Sequence, residues 1–419
     1  MKRSVATIAF LLSAILLSAQ ENRPKTGWTF TPMPDISYNS DMGFKLGAFG
    51  DFYYYGDGSV YPNFLHHIGF AGGWATKGSW HIHTMFDTPA LIPGIRLTGS
   101  ITYRDAMANN FYGFNGIASP FFPELELNRK TRTAWYTNRR RIFRGAFSLL
   151  GNISGNLNWM AGGVFRRVWL DDFDLDNYDS GKSLYNYYRE LGLIDPDEAY
   201  GGTSMEIKAG FVRDSRDVEM FPEHGSYAEL YVLGNADLQY WKYNYLQIVA
   251  HWSHYITVFR DRLIFAYHFG VQHSFGNVPF CNLNELATIT YKYEEYSGLG
   301  SRYSIRGYRY NRIAAEGYAW ANFEFRVVPF IFNLFNQHFE IVFNPFVDLG
   351  AITKYHRLEM QKAMPADVYQ DLSCPVMASA GCGAKLHMNT NFLLSIDFGK
   401  GFNSQLNDFM IGVGGTYIF

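Results

Sequence analysis

Residues 338–350, HFEIVFNPFVDLG, place Phe339, Ile341, Phe343, Pro345 and Val347 on one side of an extended chain. Glu340, Val342, Asn344, Phe346 and Asp348 fall on the other. Successive side chains of a strand point to opposite faces, so this stretch has one face suited to lipid and one suited to water or a packed polar interior. Pro345 is a blemish, because it removes one ladder donor in mid-strand. The same alternation recurs at 321–326, and near the end of the chain Ile411, Val413, Gly415, Tyr417 and Phe419 share a face.

Sixteen such segments can be laid out, at 27–38, 43–55, 64–76, 78–88, 94–105, 134–151, 156–170, 203–214, 225–236, 239–257, 262–275, 317–333, 337–350, 376–387, 391–400 and 408–419. The first four are separated by turns that are short for surface loops. With 36 Phe, 30 Tyr, 9 Trp and 40 Gly, the composition suits antiparallel β structure better than helices. After the first twenty residues, no apolar run approaches the ~18 to 20 residues of a membrane helix.

Those first residues, MKRSVATIAFLLSAILLSAQ, have a basic start at Lys2 and Arg3, an apolar run from Val5 to Leu17 and a small-residue exit at Ser18-Ala19. They predict a secretory leader at 1–19 cleaved after Ala19, with Leu17 an imperfect residue before the cut, and one domain at 20–419. No lipid-anchoring Cys follows. Export combined with amphipathic strands predicts an all-β fold, a transmembrane antiparallel β-barrel in the outer membrane of a Gram-negative bacterium. Without helices, only a closed barrel satisfies every backbone group in lipid. No blade or domain period favours a soluble propeller or sandwich.

An even strand count puts both termini in the periplasm. The turns at 152–156, 221–225, 259–262 and 389–391 then face inward to the cell, and the long segments 106–133, 171–202, 276–316 and 351–375 face outside. The aromatic clusters Phe52-Tyr53-Tyr54-Tyr55 and Tyr240-Trp241 fall at strand ends, where an interfacial girdle would lie.

Catalytic patterns are missing from the sequence: it has no G-x-S-x-G elbow, Walker loop or H-E-x-x-H. No enzyme activity, cofactor or metal is expected. His66, His67, His81 and His83 read as polar barrel residues, since a metal site would need a third converging ligand. In DSRDVEMFPEHG, the acids Asp214 and Asp217 could divide acid and base roles. The plainer reading is that Asp214, Arg216 and Asp217, with Pro222 and Gly225, pin a turn between two strands.

The basic run Arg129, Lys130, Arg132, Arg139, Arg140, Arg141 and Arg144 lies in or beside an outward loop. A solvated rim explains it most simply, and lipopolysaccharide phosphates would be its neighbours among the outer-membrane lipids. A net charge of −2 on an exported chain gives no reason to expect a nucleic-acid partner. Cys281 and Cys374 fall in outward loops of an oxidising compartment, where a disulfide could join them or leave both free, while Cys382 falls in a strand.

Four ordered motifs carry a resemblance over essentially the whole mature chain. IRGY at 305–308 resembles the (V/I)RG(Y/F) motif of the BamA/TamA/FhaC superfamily of outer-membrane insertases and translocators. DSRDVEMFPEHG is similar to its D-x-R-D…P-x-x-G element, NFEFR at 322–326 to the strand after the motif loop, and FVDLG at 346–350 to the next strand. PDISYNSDMGFKLG at 34–47 resembles the family's first barrel strands, and Phe419 ends the chain as many barrels do, a terminus suited to insertion by the outer-membrane assembly machinery.

The resemblance implies that the sixth surface loop folds back into the barrel and that Arg306 binds acids on the inner wall. Asp348, which the alternation independently places on the lumen face, is the first such acid, and Glu324 is the second. Gly307 would allow a tight turn and Tyr308 would wedge against the wall. The few residues between Ala19 and the first strand depart from the family, whose members carry POTRA domains ahead of the barrel. A barrel without them would handle outer-membrane proteins or lipids with a separate periplasmic accessory protein, opening at a first-to-last-strand seam weakened by Gly412, Gly414 and Gly415. The alternative is a transport pore or surface-antigen barrel without insertase activity.

Overall fold

A computed structural model describes residues 24–419 apart from 40–42, 62, 129, 175–177, 180, 219–220, 261, 287–297, 301–303, 335–336, 372–375, 389–391, 403–408 and 415–418. The expected leader lies outside the described residues. Sixteen strands follow one another around a single sheet. The first eight are β1 (Trp28–Asn39), β2 (Gly43–Tyr54), β3 (His66–Ala75), β4 (Trp80–Ile92), β5 (Ile95–Asn110), β6 (Thr137–Ser154), β7 (Leu157–Asp172) and β8 (Thr203–Asp214). The second eight are β9 (Gly225–Asp237), β10 (Tyr245–Phe259), β11 (Leu263–Gly276), β12 (Gly317–Leu334), β13 (Gln337–Lys354), β14 (Val376–Met388), β15 (Phe392–Gly401) and β16 (Phe409–Gly414).

Each strand pairs with its sequence neighbours, and the sheet curls until β1 and β16 come together. No ladder joins those two strands among the described residues, and β16 pairs with β15 only from Ser395↔Gly414 to Lys400↔Phe409. The alternation explains which face goes where. On β13, Phe343 and Val347 are 47% and 44% exposed on the outer surface, whereas Asn344 and Asp348 are fully buried inside. Pro345 sits opposite Cys382 within a continuous ladder to β14.

Three expectations need correction. Residues 239–244 form a turn, so β10 starts at Tyr245, and Tyr240 and Trp241 are exposed on that turn. Trp241 takes a left-handed φ of 56° there, and the turn is tied together by backbone N–H groups donating to Asp237. The basic run is not a single solvated rim, because even positions of β6 face the lumen. Arg140 and Arg144 are therefore buried, and Arg140 pairs with Glu285 at 3.1 Å. The outward-facing Arg139 and Arg141 pair with Asp105 and Asp171. Finally, Phe419 does not continue the outer face of β16. It lies inside the lumen, its ring 5.5 Å from His268 and 6.2 Å from Tyr255.

The long connections form a dome over one end of the barrel. Helix α1 (Leu184–Glu190) starts at Ser183, whose Oγ accepts the Asn186 N–H at 3.2 Å, a side-chain cap. Its Tyr188 packs edge-on against Phe111 and Phe114 at 5.3 and 5.1 Å. Helix α2 (Leu358–Lys362) brings in Gln361, which accepts a hydrogen bond from Asn115 and donates one to Ser119 Oγ. Arg312 donates to the carbonyls of Gly116 and Ser119 at 2.7 and 2.8 Å. Buried polar groups with all these partners make the dome a fixed cover.

Acid is expected to loosen this cover. Burial opposes the charge on Glu316, but hydrogen bonds from His356 and Lys354 outweigh it and hold the carboxyl below its usual range. Burial also pushes the His356 imidazole down, with Arg357 adding to the effect. Both folded values lie below the unfolded ones, so the stability they bring is present at higher pH and drains away as pH falls through the folded values. Proteolysis of the dome loops should accelerate as pH drops below the ordinary histidine value of 6.5. A rate independent of pH would contradict this.

Candidate functional site

The connection from β11 to β12 turns inward, and residues 304–308 lie against the inner wall. Arg306 is 3% exposed. Its Nε donates to Asp348 Oδ2 at 2.9 Å and its Nη2 to Asp348 Oδ1 at 2.8 Å, a two-pronged grip that a lysine cannot reproduce. The Arg306 backbone N–H also donates to Asp348 Oδ2, at 2.9 Å. Nη1 donates to Glu324 Oε2 at 3.0 Å and stands 3.9 Å from Asp397 Oδ1 on β15. The guanidinium lies 3.5 Å over the Phe346 ring.

The two residues after Arg306 extend the contact. Gly307 takes φ 95°, and a Cβ there would come within 2.8 Å of the backbone N and C of Lys400. The approach is reciprocal: a Cβ on Gly399 would lie 2.8 Å from the backbone of Arg306 and Gly307. Only backbone fits between the loop tip and β15. Tyr308 is buried and donates its hydroxyl to the Ala378 carbonyl on β14 at 3.0 Å. The five residues of the lock expectation are thus brought together, with the loop touching β12, β13, β14 and β15.

Sequence reasoning missed the rest of the cluster. Asn322 donates to Asp348 Oδ1 and to the Ser304 carbonyl. Arg326, fully buried, donates to Glu324 Oε1 at 2.8 Å, to the Pro222 carbonyl at 3.4 Å and to the Phe419 carbonyl at 3.2 Å. Asn344 reaches Glu324 and Asp397, and Lys385 reaches Asp397 at 3.2 Å. Three cations, Arg306, Arg326 and Lys385, thus face three acids, Glu324, Asp348 and Asp397, in a buried and balanced set. The available signal was strand parity, which puts Lys385 and Asp397 on lumen positions of β14 and β15.

The turn motif is a separate assembly. Arg216 grips Asp214 with Nε and Nη2 at 2.9 and 2.8 Å and lies 4.6 Å over the Tyr227 ring. Asp217 accepts the Glu223 and His224 N–H groups, and Gly225 opens β9 at φ 99°. The turn bends into the lumen, where Phe221 packs with Tyr255, Val342, Leu393 and Phe419. Asp214 and Asp217 are engaged within this turn, and the geometry offers them no shared reacting atom.

The histidines also settle locally. His67 contacts Asp51 at 2.6 Å and stacks on Tyr53, His66 meets Thr88 and His83 meets Thr102. Among the described residues, no group of three or more His, Cys, Asp or Glu is placed to hold a metal ion. Cys281 is a free thiol buried in the dome, and burial pushes its pKa up to about 12. Its expected partner Cys374 lies outside the described residues.

A family model described as the Omp85 superfamily domain matches residues 71–417. The chain belongs to the Omp85 superfamily. BamA from Haemophilus ducreyi, in a form lacking POTRA domains 1–3, aligns with TM-score 0.58 and 18% identity over 94% of this chain and 70% of that one. CdiB from Escherichia coli aligns with TM-score 0.53 and 12% identity over 93% of this chain and 62% of that one. At such identities the two structures speak to the fold. No curated protein matches the chain. This Omp85 barrel is an outer-membrane protein, and its sixteen-stranded wall is the BamA-like architecture.

Proposed function

We propose that this Omp85 barrel is the membrane module of a device that assembles or translocates outer-membrane proteins. In this reading the Arg306 loop is a lock on the wall and the β1–β16 edge is the seam that opens. The carrying observation is the seating of residues 306–308 on β12 to β15, which ends one strand short of that seam. Among the described residues no ladder joins β1 to β16, and an edge held by few pairs is one that a client strand would join. The dome supports a module over an open pore, because its side chains occupy the long-loop end of the lumen.

Further parts of the proposal concern the surroundings. A leader at 1–19 delivers the chain to the periplasm, a separate periplasmic accessory protein presents clients to the short-turn end, and lipopolysaccharide surrounds the rim bearing Arg139 and Arg141. The test follows an unfolded client barrel folding into liposomes with and without this protein. Acceleration by the native protein that Arg306→Ala abolishes supports a module acting through the lock. No acceleration by the native protein, even with periplasmic extract added, counts against the proposal.

A further inference from the structure

Three arginines face outward near the long-loop ends of β6 and β7, and they differ in what holds them. Arg139 grips Asp105 with Nε at 3.0 Å and Nη2 at 2.5 Å, and Arg141 donates to Asp171 at 2.6 Å. Arg167 is held by neutral groups instead. Its Nη1 donates to the Thr203 hydroxyl at 2.5 Å and to the Gln239 side-chain carbonyl at 2.7 Å. Among the described residues no carboxylate pairs with Arg167, and its Nε and Nη2 donate to no protein group.

Parity and register place this guanidinium. Arg166 is buried in the lumen, so Arg167 belongs to the outer face, between Phe165 and Trp169. Tyr103, Phe143, Arg167 and Thr203 form one row across β5 to β8. The next row toward the short turns is Ile101, Gly145, Phe165 and Met205, whose three side chains larger than hydrogen are apolar and exposed. The next row toward the long loops begins Asp105, Arg141, Trp169 and is ionic. Arg167 therefore stands where the apolar band of the outer wall ends.

The guanidinium is also fixed in orientation. It lies 5.4 Å from the Trp169 ring centroid, and Nη1 is tied to β8 and to the turn after β9. The edge formed by Nε and Nη2 remains, the same two-pronged edge with which Arg306 takes Asp348. Such a fork fits a carboxylate or a phosphate. The acids of this rim are engaged elsewhere: besides Asp105 and Asp171, Asp172 faces Arg189 at 3.9 Å, and Asp195 and Asp197 share Lys242.

We infer that Arg167 is a binding site for the phosphate of an outer-leaflet lipid, taken by the Nε–Nη2 fork. A lipid suits the site better than free phosphate, because its acyl chains would cover the exposed Phe165 and Met205 in the adjoining row. The inference rests on the proposed placement of the long-loop end at the outer surface, and it narrows the lipid contact from a rim to one side chain.

The test titrates the full chain in detergent micelles with lipid A bearing its phosphates, with dephosphorylated lipid A and with inorganic phosphate, binding being read by native mass spectrometry. The native protein should prefer the phosphorylated lipid, and Arg167→Gln should weaken that binding roughly tenfold or more. Arg167→Lys, which keeps the charge and loses the fork, should fall between them and decides the matter if Arg167→Gln does not fold. Arg96→Gln, at the short-turn end, should bind as the native protein does. Native affinity in both Arg167 variants, equal binding of the two lipids, or inorganic phosphate binding as tightly as the lipid would overturn the inference. The placement is checked separately, with a membrane-impermeant amine reagent that should modify the dome residue Lys362, 43% exposed, on intact cells. Modification only after lysis would remove the placement, whereas modification on intact cells with unchanged lipid binding in the Arg167 variants would remove this site alone.

Discussion

Arg306→Ala is expected to release the loop while leaving the sixteen-stranded wall folded. The substitution removes three side-chain hydrogen bonds and leaves Asp348 and Glu324 buried beside one another with their main counter-charge gone. Removing one partner of a buried ion pair costs about 3–5 kcal/mol. Arg326, Lys385 and Asn322 still face these acids, so the lower end of that range is expected. The wall keeps its ladders, and the loss should therefore appear locally, as faster cleavage within 277–316 and larger current fluctuations across a planar bilayer. Arg306→Lys should fall between the two proteins, since it keeps the charge and loses the fork. A cleavage pattern identical to that of the native protein would refute the anchoring role.

Gly307→Ala should also lift the loop tip, for two separable reasons. A non-glycine residue at φ 95° stores roughly 1–3 kcal/mol of backbone strain. The added Cβ would also press on the Lys400 backbone, which cannot swing aside as a side chain would. Gly399→Ala makes the reciprocal collision without the left-handed φ, so it isolates the contact. Loop cleavage should rise in both variants, and more in Gly307→Ala. Equal protection of both variants and the native protein would mean that the tip is not seated on β15.

The wall was legible in the sequence because lipid and lumen impose period two on every strand. That rule placed Asp348 and Asn344 inside and Phe343 and Val347 outside from thirteen residues alone. It failed where side chains leave the sheet. Tyr240 and Trp241 continue an aromatic run, but Asp237 draws the backbone N–H groups after it into a turn. Phe419 matches the apolar face of β16 in spacing, yet its carbonyl is held by Arg326 and its ring lies in the lumen.

At the site, the motif around Arg306 pointed to its acids, whereas Lys385 and Asp397 carried no motif. They meet there because register sets Asn344, Gly383 and Asp397 in one row across β13, β14 and β15, a relation that only pairing reveals. The arginines of β6 divide for the same reason, with Arg140 and Arg144 turned inward and Arg139 and Arg141 turned outward.

The most direct test of the account is a double-mutant cycle on Arg306→Ala and Asp348→Ala, read as the free energy of loop opening from cleavage rates within 277–316. If the two residues act as one lock, each single variant should open the loop and the double variant should open it little further. The coupling should lie near the upper part of the ~0.5–3 kcal/mol seen for residues in direct contact. Additive effects would contradict the lock, and with it the proposal that this loop holds the barrel shut.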